Sequence, residues 1–488
     1  MDAETIMRIK PALTRFLHQF DDCFGRVTTR RYLDLYVQGQ LSDLPRKSTE
    51  PMADAVGEPP RNLQEFLSLF RWDQQRARDR LQQYVARRHS HPDSVGVIDE
   101  TRFVKKGDQT ACVQRQHCGA VGKIENCVVS VHLGYAAGDF HTLLDGEVYL
   151  PEDTWHADRD RCREAGIPDE GVYRPKWQMA LEQVQRAIAN GLRFAWLTFD
   201  EGYGGKPPFL RALDRFGQNY VAEVPSSFTV WTAPPEILYR DHARDKSLGR
   251  PKTYPRLKVK NNPRIDVRHV LRHSPRLREI PWQDHTIKDG SKGPMVWQAK
   301  RMRVYLADEN GLPTRPYHLI VARNALNAEE VKYFISNAPE PTPVKTLLAV
   351  AFSRWTIERA FEDSKMELGM DHFEVRKYLS IQRHLILTCL SHTFLSEFRD
   401  THREKKSPPD GQPSGYSHGG TGGGVEPRRL PVPCSTRQTG PLLPEAGRID
   451  QCAIDLNATA KRKGRSQPPS PHNTPITPNR HPSQKYRQ

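Results

Sequence analysis

Apolar residues recur at helical spacing within the first 90 positions, at Leu63, Phe66, Leu67, Leu69 and Phe70 and again at Leu81, Tyr84 and Val85, which predicts a helical amino-terminal region. Arg76, Arg78, Arg80, Arg87 and Arg88 interleave with the second set. The pattern changes at His91-Pro92. From there it predicts a strand over 95–98, hairpin strands within 127–135 and 142–150, and a helix opening at Pro175, a residue well tolerated at the first helical position. Trp177, Ala180, Leu181, Val184, Ala187 and Ile188 form one face of that helix. A strand over 194–199, a short helix around 210–216 and a strand over 220–224 follow. Residues 226–345 read as strand-like and irregular, punctuated by Pro and Gly, and a long helical stretch over 343–400 closes the folded part.

The composition narrows the classes available. The chain of 488 residues has 73 Lys and Arg against 58 Asp and Glu, a net charge of +15. It contains no apolar run of about 18 residues, so it is not read as spanning a bilayer. The first residues carry acidic side chains and no apolar core of a secretory signal, so a cytoplasmic location is expected. Eight cysteines with no CxxC pair read as reduced thiols, not as a disulfide framework or zinc site. The basic excess favours a polyanionic partner, but unevenly: residues 403–488 hold 14 Lys and Arg against 6 Asp and Glu, a net of +8. The same stretch has 14 of the 39 prolines, a GGTGGG run and a KRKGR cluster, and is expected to be a disordered basic tail. GGTGGG is not a phosphate loop, because no GxxxxGK[ST] occurs anywhere.

Candidate chemistry lies where apolar strands meet acidic residues. SVGVID ends at Asp99 and RFAWLTFD at Asp200, and a carboxylate at the end of a buried strand is costly unless it is paired or binds a cation. Either residue alone is commonly a turn or helix cap. In SRWTIERAFEDSKMEL, Arg354, Glu358 and Lys365 are spaced by 4 and 7, which puts them on one helical face beside the apolar stripe Ile357, Ala360, Phe361 and Leu368. That segment alone also fits a surface helix laced with ion pairs. The order of elements favours the catalytic reading. A meander whose first strand carries Asp, then a helix, a strand ending in Asp and a helix carrying Glu is the arrangement of an α/β, RNase H-like core. Three carboxylates converging there hold two Mg²⁺ ions, or Mn²⁺, for phosphodiester displacement.

The ordered motifs IDETRFVKKG, RQHCGAVGKIENCVVSV, LLDGEVYLPEDTW, LTFDEGYGG and RWTIERAFEDSKMELGMDHFEVRKY strongly resemble those of DDE-superfamily transposases of bacterial insertion sequences. YVQGQLSDLPRKSTEPMADAVG and LQEFLSLFRWD resemble the family's amino-terminal region, so the resemblance covers about residues 15–400. It implies Asp99, Asp200 and Glu358 as catalytic metal ligands and Arg354 and Lys365 as residues positioning DNA phosphates. These last match the Tyr-Arg-Glu-Lys signature of one branch, Y-x2-R-x3-E-x6-K, whose Tyr position is occupied here by Ala351. Glu100, Glu201 and Glu362 are neighbouring charges, with Glu362 the reserve third ligand. The gap from Asp200 to Glu358 is 158 residues, longer than a minimal core needs, so 226–345 is expected to be a mainly-β insertion as in that branch.

The resulting domain reading is a helical region over 1–90 that is a candidate for DNA-end binding, core segments over 91–225 and 346–402, the insertion, and the tail. Trp231, Trp282 and Trp297 in the insertion are candidates for stacking on a displaced base, against the ordinary reading of core residues. The basic stretches 256–264 and 299–303 are candidates for phosphate contacts, or simply solvated faces. The expected partners are double-stranded DNA, as terminal inverted repeats and target, and a second copy of the chain on that DNA. A nuclease without strand transfer and an inactive DNA-binding remnant are the competing readings.

Overall fold

A computed structural model describes residues 3–119, 121–239, 254–290 and 293–403. Apart from Arg403, the expected tail lies outside the described residues.

The amino-terminal region is helical, as its periodicity predicts: α1 (Ala3–Leu17), α2 (Val27–Leu41), α3 (Thr49–Ala55), α4 (Pro60–Ser68) and α5 (Gln74–Arg88). Leu63, Phe66 and Leu67 of α4 and Leu81, Tyr84 and Val85 of α5 are buried. Leu69, counted in the same stripe from sequence, is 70% exposed because the helix ends before it.

Then come β1 (Val95–Val104), β2 (Gln114–Cys118), β3 (Lys123–Ala137), β4 (Phe140–Val148), α6 (Arg159–Glu164) and α7 (Lys176–Ala189). Next are β5 (Trp196–Phe199), α8 (Glu201–Gly204), α9 (Pro207–Arg215) and β6 (Tyr220–Val224). Pro175 caps α7, where its missing N–H costs nothing. The segment that follows carries the short strands β7 (Thr229–Val230), β8 (Ile237–Leu238), β9 (Arg256–Leu257) and β10 (Ile265–Asp266), then α10 (Val267–His273) and α11 (Pro275–Glu279). Its long strands are β11 (Gln283–Gly290), β12 (Gly293–Ala307), β13 (Pro313–Asn324) and β14 (Val331–Ser336). The closing stretch, continuous in sequence pattern, is three helices: α12 (Val344–Phe352), α13 (Trp355–Met366) and α14 (Tyr378–Arg403). Gly369, with φ of +68°, turns the chain between α13 and α14.

The fold is mixed α/β, built on a large mixed sheet ordered β11-β12-β13-β14-β6-β5-β1-β3, with β2 and β4 both pairing with β3. β1, β5 and β6 run parallel to one another. The strands of 283–336 do not form a sheet of their own: β14 pairs antiparallel with β6 and so extends the central sheet.

Helices are placed by specific contacts. Phe361 of α13 packs edge-on to the His132 ring, and Ile357 lies against Gly134, so α13 covers the β3 face that bears these two residues. Lys176, at the start of α7, pairs with Glu100 of β1. α8 sits against β6 because Gly204 has no side chain; a Cβ there would lie 1.9 Å from the Glu223 carbonyl oxygen. α14 packs on β4 and on α1, α2, α4 and α5, tying the amino-terminal helices to the sheet. Among the described residues no helix is long and apolar enough to cross a membrane.

Buried polar groups fix this packing. Asp145 of β4, fully shielded, forms ion pairs with Arg78 of α5 at 2.9 Å and Arg186 of α7 at 2.5 Å. His384 of α14 bonds the Tyr36 hydroxyl at 2.8 Å and the Met370 carbonyl at 3.0 Å. Burial pushes the His132 and His384 imidazoles down to about 4 and His392 down to about 3. A histidine whose folded-state pKa lies below its unfolded value of about 6.5 stabilises the fold above that pH, and the contribution is lost as pH falls toward the folded value. Stability to urea is therefore expected to fall between pH 6.5 and 4. In His384→Gln the fall should be shallower by up to about 1.4 kcal/mol per pH unit. An unchanged slope in the variant excludes His384 as a contributing group. Gly204→Ala is expected to cost about 3 kcal/mol in urea unfolding, since backbone must move; a loss below about 1 kcal/mol contradicts the close approach of α8 to β6.

Candidate active site

The parallel register carries the candidate residues into place. Ile98 stands opposite Phe199, so Asp99 and Asp200 come next, side by side on adjacent parallel strands. β5 does stop at Phe199, but β1 does not end at Asp99 as its apolar run suggests: pairing with β3 carries it on to Val104, so Asp99 lies within the strand. Phe199 also stands opposite Ala222, which puts Glu223 of β6 next in the same row. Asp200 is the N-cap of α8, accepting from the Gly202 backbone N–H at 2.9 Å and the Tyr203 N–H at 3.4 Å. Asp99 pairs across the sheet with His132, so it shares the face that α13 covers. Ile357 and Phe361 anchor that helix, and its amino-terminal end brings Arg354 and Glu358 to the acidic row.

One guanidinium links these acids. Arg354 Nη1 lies 3.1 Å from Asp99 Oδ2 and 2.9 Å from Glu358 Oε1, while Nε is 3.8 Å from Glu223 Oε2. Asp99 is nearly shielded from solvent, whereas the Glu358 side chain is 56% exposed. Burial, reinforced by the neighbouring Asp200 charge, lifts the Asp99 carboxyl to about 7. Burial likewise raises Asp200, against the pull of Arg354. Two carboxylates that resist sharing negative charge suit a hard divalent cation, which would relieve the repulsion through oxygen ligands alone. Among the described residues no three His, Cys, Asp or Glu already converge as a metal cluster, so Glu358 stands off from the aspartate pair across Arg354.

The other acidic candidates lie elsewhere. Glu362 pairs with Arg359 at 3.0 Å. Glu100 is neutralised by Arg102 at 2.5 Å and Lys176 at 2.7 Å. Glu201 is exposed on α8. Lys365 reaches the Arg102 carbonyl oxygen at 3.4 Å, three residues beyond Asp99 on β1. Ala351 is buried in α12 and offers no hydroxyl.

Glu223 escaped the sequence reading because YVAEV shows no break there; only the β5–β6 register reveals that it ends the acidic row. The insertion tryptophans are largely structural. Trp231 and Trp297 are buried, and Trp282 is covered by Lys300 and Arg323 at 5.0 and 4.2 Å from its ring. The exposed indole near the site is Trp355, 44% exposed and adjacent to Arg354. Four of the five arginines of α5 are also engaged within the protein: Arg76 and Arg80 on Asp22, Arg78 on Asp145 and Arg88 on Glu397. In the second basic stretch, Lys300, Arg301 and Arg303 bond backbone carbonyls.

The chain is similar to known proteins over much of its length. A probable transposase for insertion sequence element IS701 from Microchaete diplosiphon is 28% identical over 349 residues, covering 70% of this chain and 76% of the relative. The family model described as DDE superfamily endonuclease matches residues 19–294, more than half of the chain. The chain belongs to the DDE superfamily endonucleases.

Proposed function

We propose that this endonuclease is a transposase that cuts DNA at the ends of a mobile element and joins them to target DNA. The observation that carries the reading is the pair Asp99 and Asp200, side by side on adjacent parallel strands, with Glu358 joined to Asp99 through Arg354. The strand order around them, β4-β3-β1-β5-β6 with β1, β5 and β6 parallel, supports an RNase H-like core. Under this reading, 91–225 and 346–402 supply the core, 226–345 is an insertion whose long strands lengthen the core sheet, and the helices of 1–90 are the region for end recognition. The IS701 relative is named a probable transposase, which supports the same assignment.

Asp99, Asp200 and Glu358 would hold two Mg²⁺ or Mn²⁺ ions, a choice consistent with an all-oxygen donor set. Bound divalent cations supply activation of an attacking oxygen and stabilisation of the leaving one. The chain's own residues do the rest. The parallel pairing of β1 with β5 holds the two aspartates in register, and the backbone N–H groups of Gly202 and Tyr203 orient Asp200. Arg354 provides a planar fork for non-bridging phosphate oxygens, and Lys365 a second positive charge on the same helix. Water first cuts the DNA end, and the freed 3′ hydroxyl then attacks the target strand. Bringing two ends together calls for two copies of the chain on the DNA.

Asp99→Ala, Asp200→Ala and Glu358→Ala are expected to lower cleavage of element-end DNA by roughly 10²–10³-fold or more, with end binding retained in a gel-shift assay. Glu362→Ala should cleave normally. Full cleavage by Glu358→Ala together with a dead Glu362→Ala moves the third ligand to Glu362. With pre-cut ends and a plasmid target, the purified protein is expected to give joined products. Cleavage without joining favours a simple nuclease.

A further inference from the structure

The acidic row contains one carboxylate that the proposed ligand set does not use. Glu223 lies beside Asp200 in the β5–β6 register, buried, with its backbone held by the close approach of Gly204. Its two oxygens face different cations: Oε1 accepts from Lys332 Nζ at 2.6 Å, and Oε2 lies 3.8 Å from Arg354 Nε. Arg354 meanwhile spends a single nitrogen, Nη1, on both Asp99 and Glu358. These are two of the three proposed ligands, so guanidinium and metal ion compete for the same carboxylates.

We propose that Glu223 is a positioning residue that draws Arg354 off Asp99 and Glu358, releasing their oxygens to a divalent cation, and that Lys332 limits this pull by sharing Glu223. The movement needed is small, since closing 3.8 Å to an ordinary charged hydrogen bond is a shift of about 1 Å. It also moves the guanidinium out from between Asp99 and Glu358, the geometry that separates the third carboxylate from the aspartate pair. Arg354 thereby has two stations, one on the ligands and one on Glu223, and only the second leaves the ligands open.

This inference rests on the ligand reading above, and the test separates the two. Mn²⁺ affinity of the purified full chain is measured by water proton relaxation, with circular dichroism as the folding control. Glu223→Gln is expected to weaken Mn²⁺ binding about 3–10-fold, and Arg354→Gln to tighten it. In the Arg354→Gln background the Glu223→Gln effect should shrink to within about 1.5-fold, because Glu223 acts through the arginine. Equal losses in both backgrounds overturn the proposal in favour of direct action on the ion, and no loss in either overturns it outright. Should Glu223→Gln fail to fold, Lys332→Gln decides. It is expected to tighten binding in the wild-type background and change nothing beside Arg354→Gln; an equal effect in both backgrounds, or none, overturns the proposal. Asp99→Ala is the reference. Wild-type affinity in that variant overturns the ligand reading and this inference with it, whereas lost affinity there beside an unaffected Glu223→Gln overturns this inference alone.

Discussion

The parallel pairing of β1, β5 and β6 is the constraint on which the site depends. Parallel strands run the same way through a sheet, and here the register sets three acidic residues, Asp99, Asp200 and Glu223, next to one another in one row at the edge where β5 stops, with β1 running on past it. The arrangement is electrostatically costly: burial and mutual repulsion disfavour ionised carboxylates there, as the raised Asp99 and Asp200 show. The fold offsets part of that cost with one long cation reaching in from the start of α13.

A second set of buried polar contacts holds this edge still. Asp145 joins α5 and α7 to the sheet through Arg78 and Arg186. Arg383 of α14 donates to the Phe66, Leu67 and Trp72 carbonyl oxygens and lies over the Trp72 ring. Gln40 bridges Thr388 and Ser391. Each such group has a fixed partner, so the amino-terminal helices and α14 pack in one register; an apolar interface of the same size would tolerate sliding.

Much of this was legible in the amino-acid order. Strand β6 coincides with its apolar run, and α7 begins directly after the proline that announces it, because both signals are local. The end of β5 before Asp200 was visible because an acidic residue interrupts an apolar run, but the same signal misled at Asp99, where pairing with β3 carries β1 on to Val104. Pairing across long separations was not visible. The extension of the sheet by β14 depends on hydrogen bonds between residues 221–224 and 333–336, for which periodicity holds no signal. Glu223 was hidden for the same reason, and the insertion tryptophans could not be sorted into core and surface without knowing which strand face each occupies. The Arg354–Glu358 spacing was readable as a helical face, but its orientation toward Asp99 came only from the packing of Ile357 and Phe361.

The placement of α14 has a consequence for how the protein is made. Tyr36 finds its partner 348 residues later, at His384, and Gln40 finds Thr388 at the same separation. At translation rates of roughly 5–20 residues per second, the amino-terminal helices leave the ribosome about 20–70 s before the helix that covers them exists. Phe66 can pack at once on Phe24, Tyr32, Tyr36 and Trp72, but the buried polar groups Tyr36 and Gln40 lack their α14 partners throughout that interval. A polypeptide terminated anywhere short of α14 lacks these partners and is exposed to chaperones and proteases, so competence to act on DNA waits until α14 has been made.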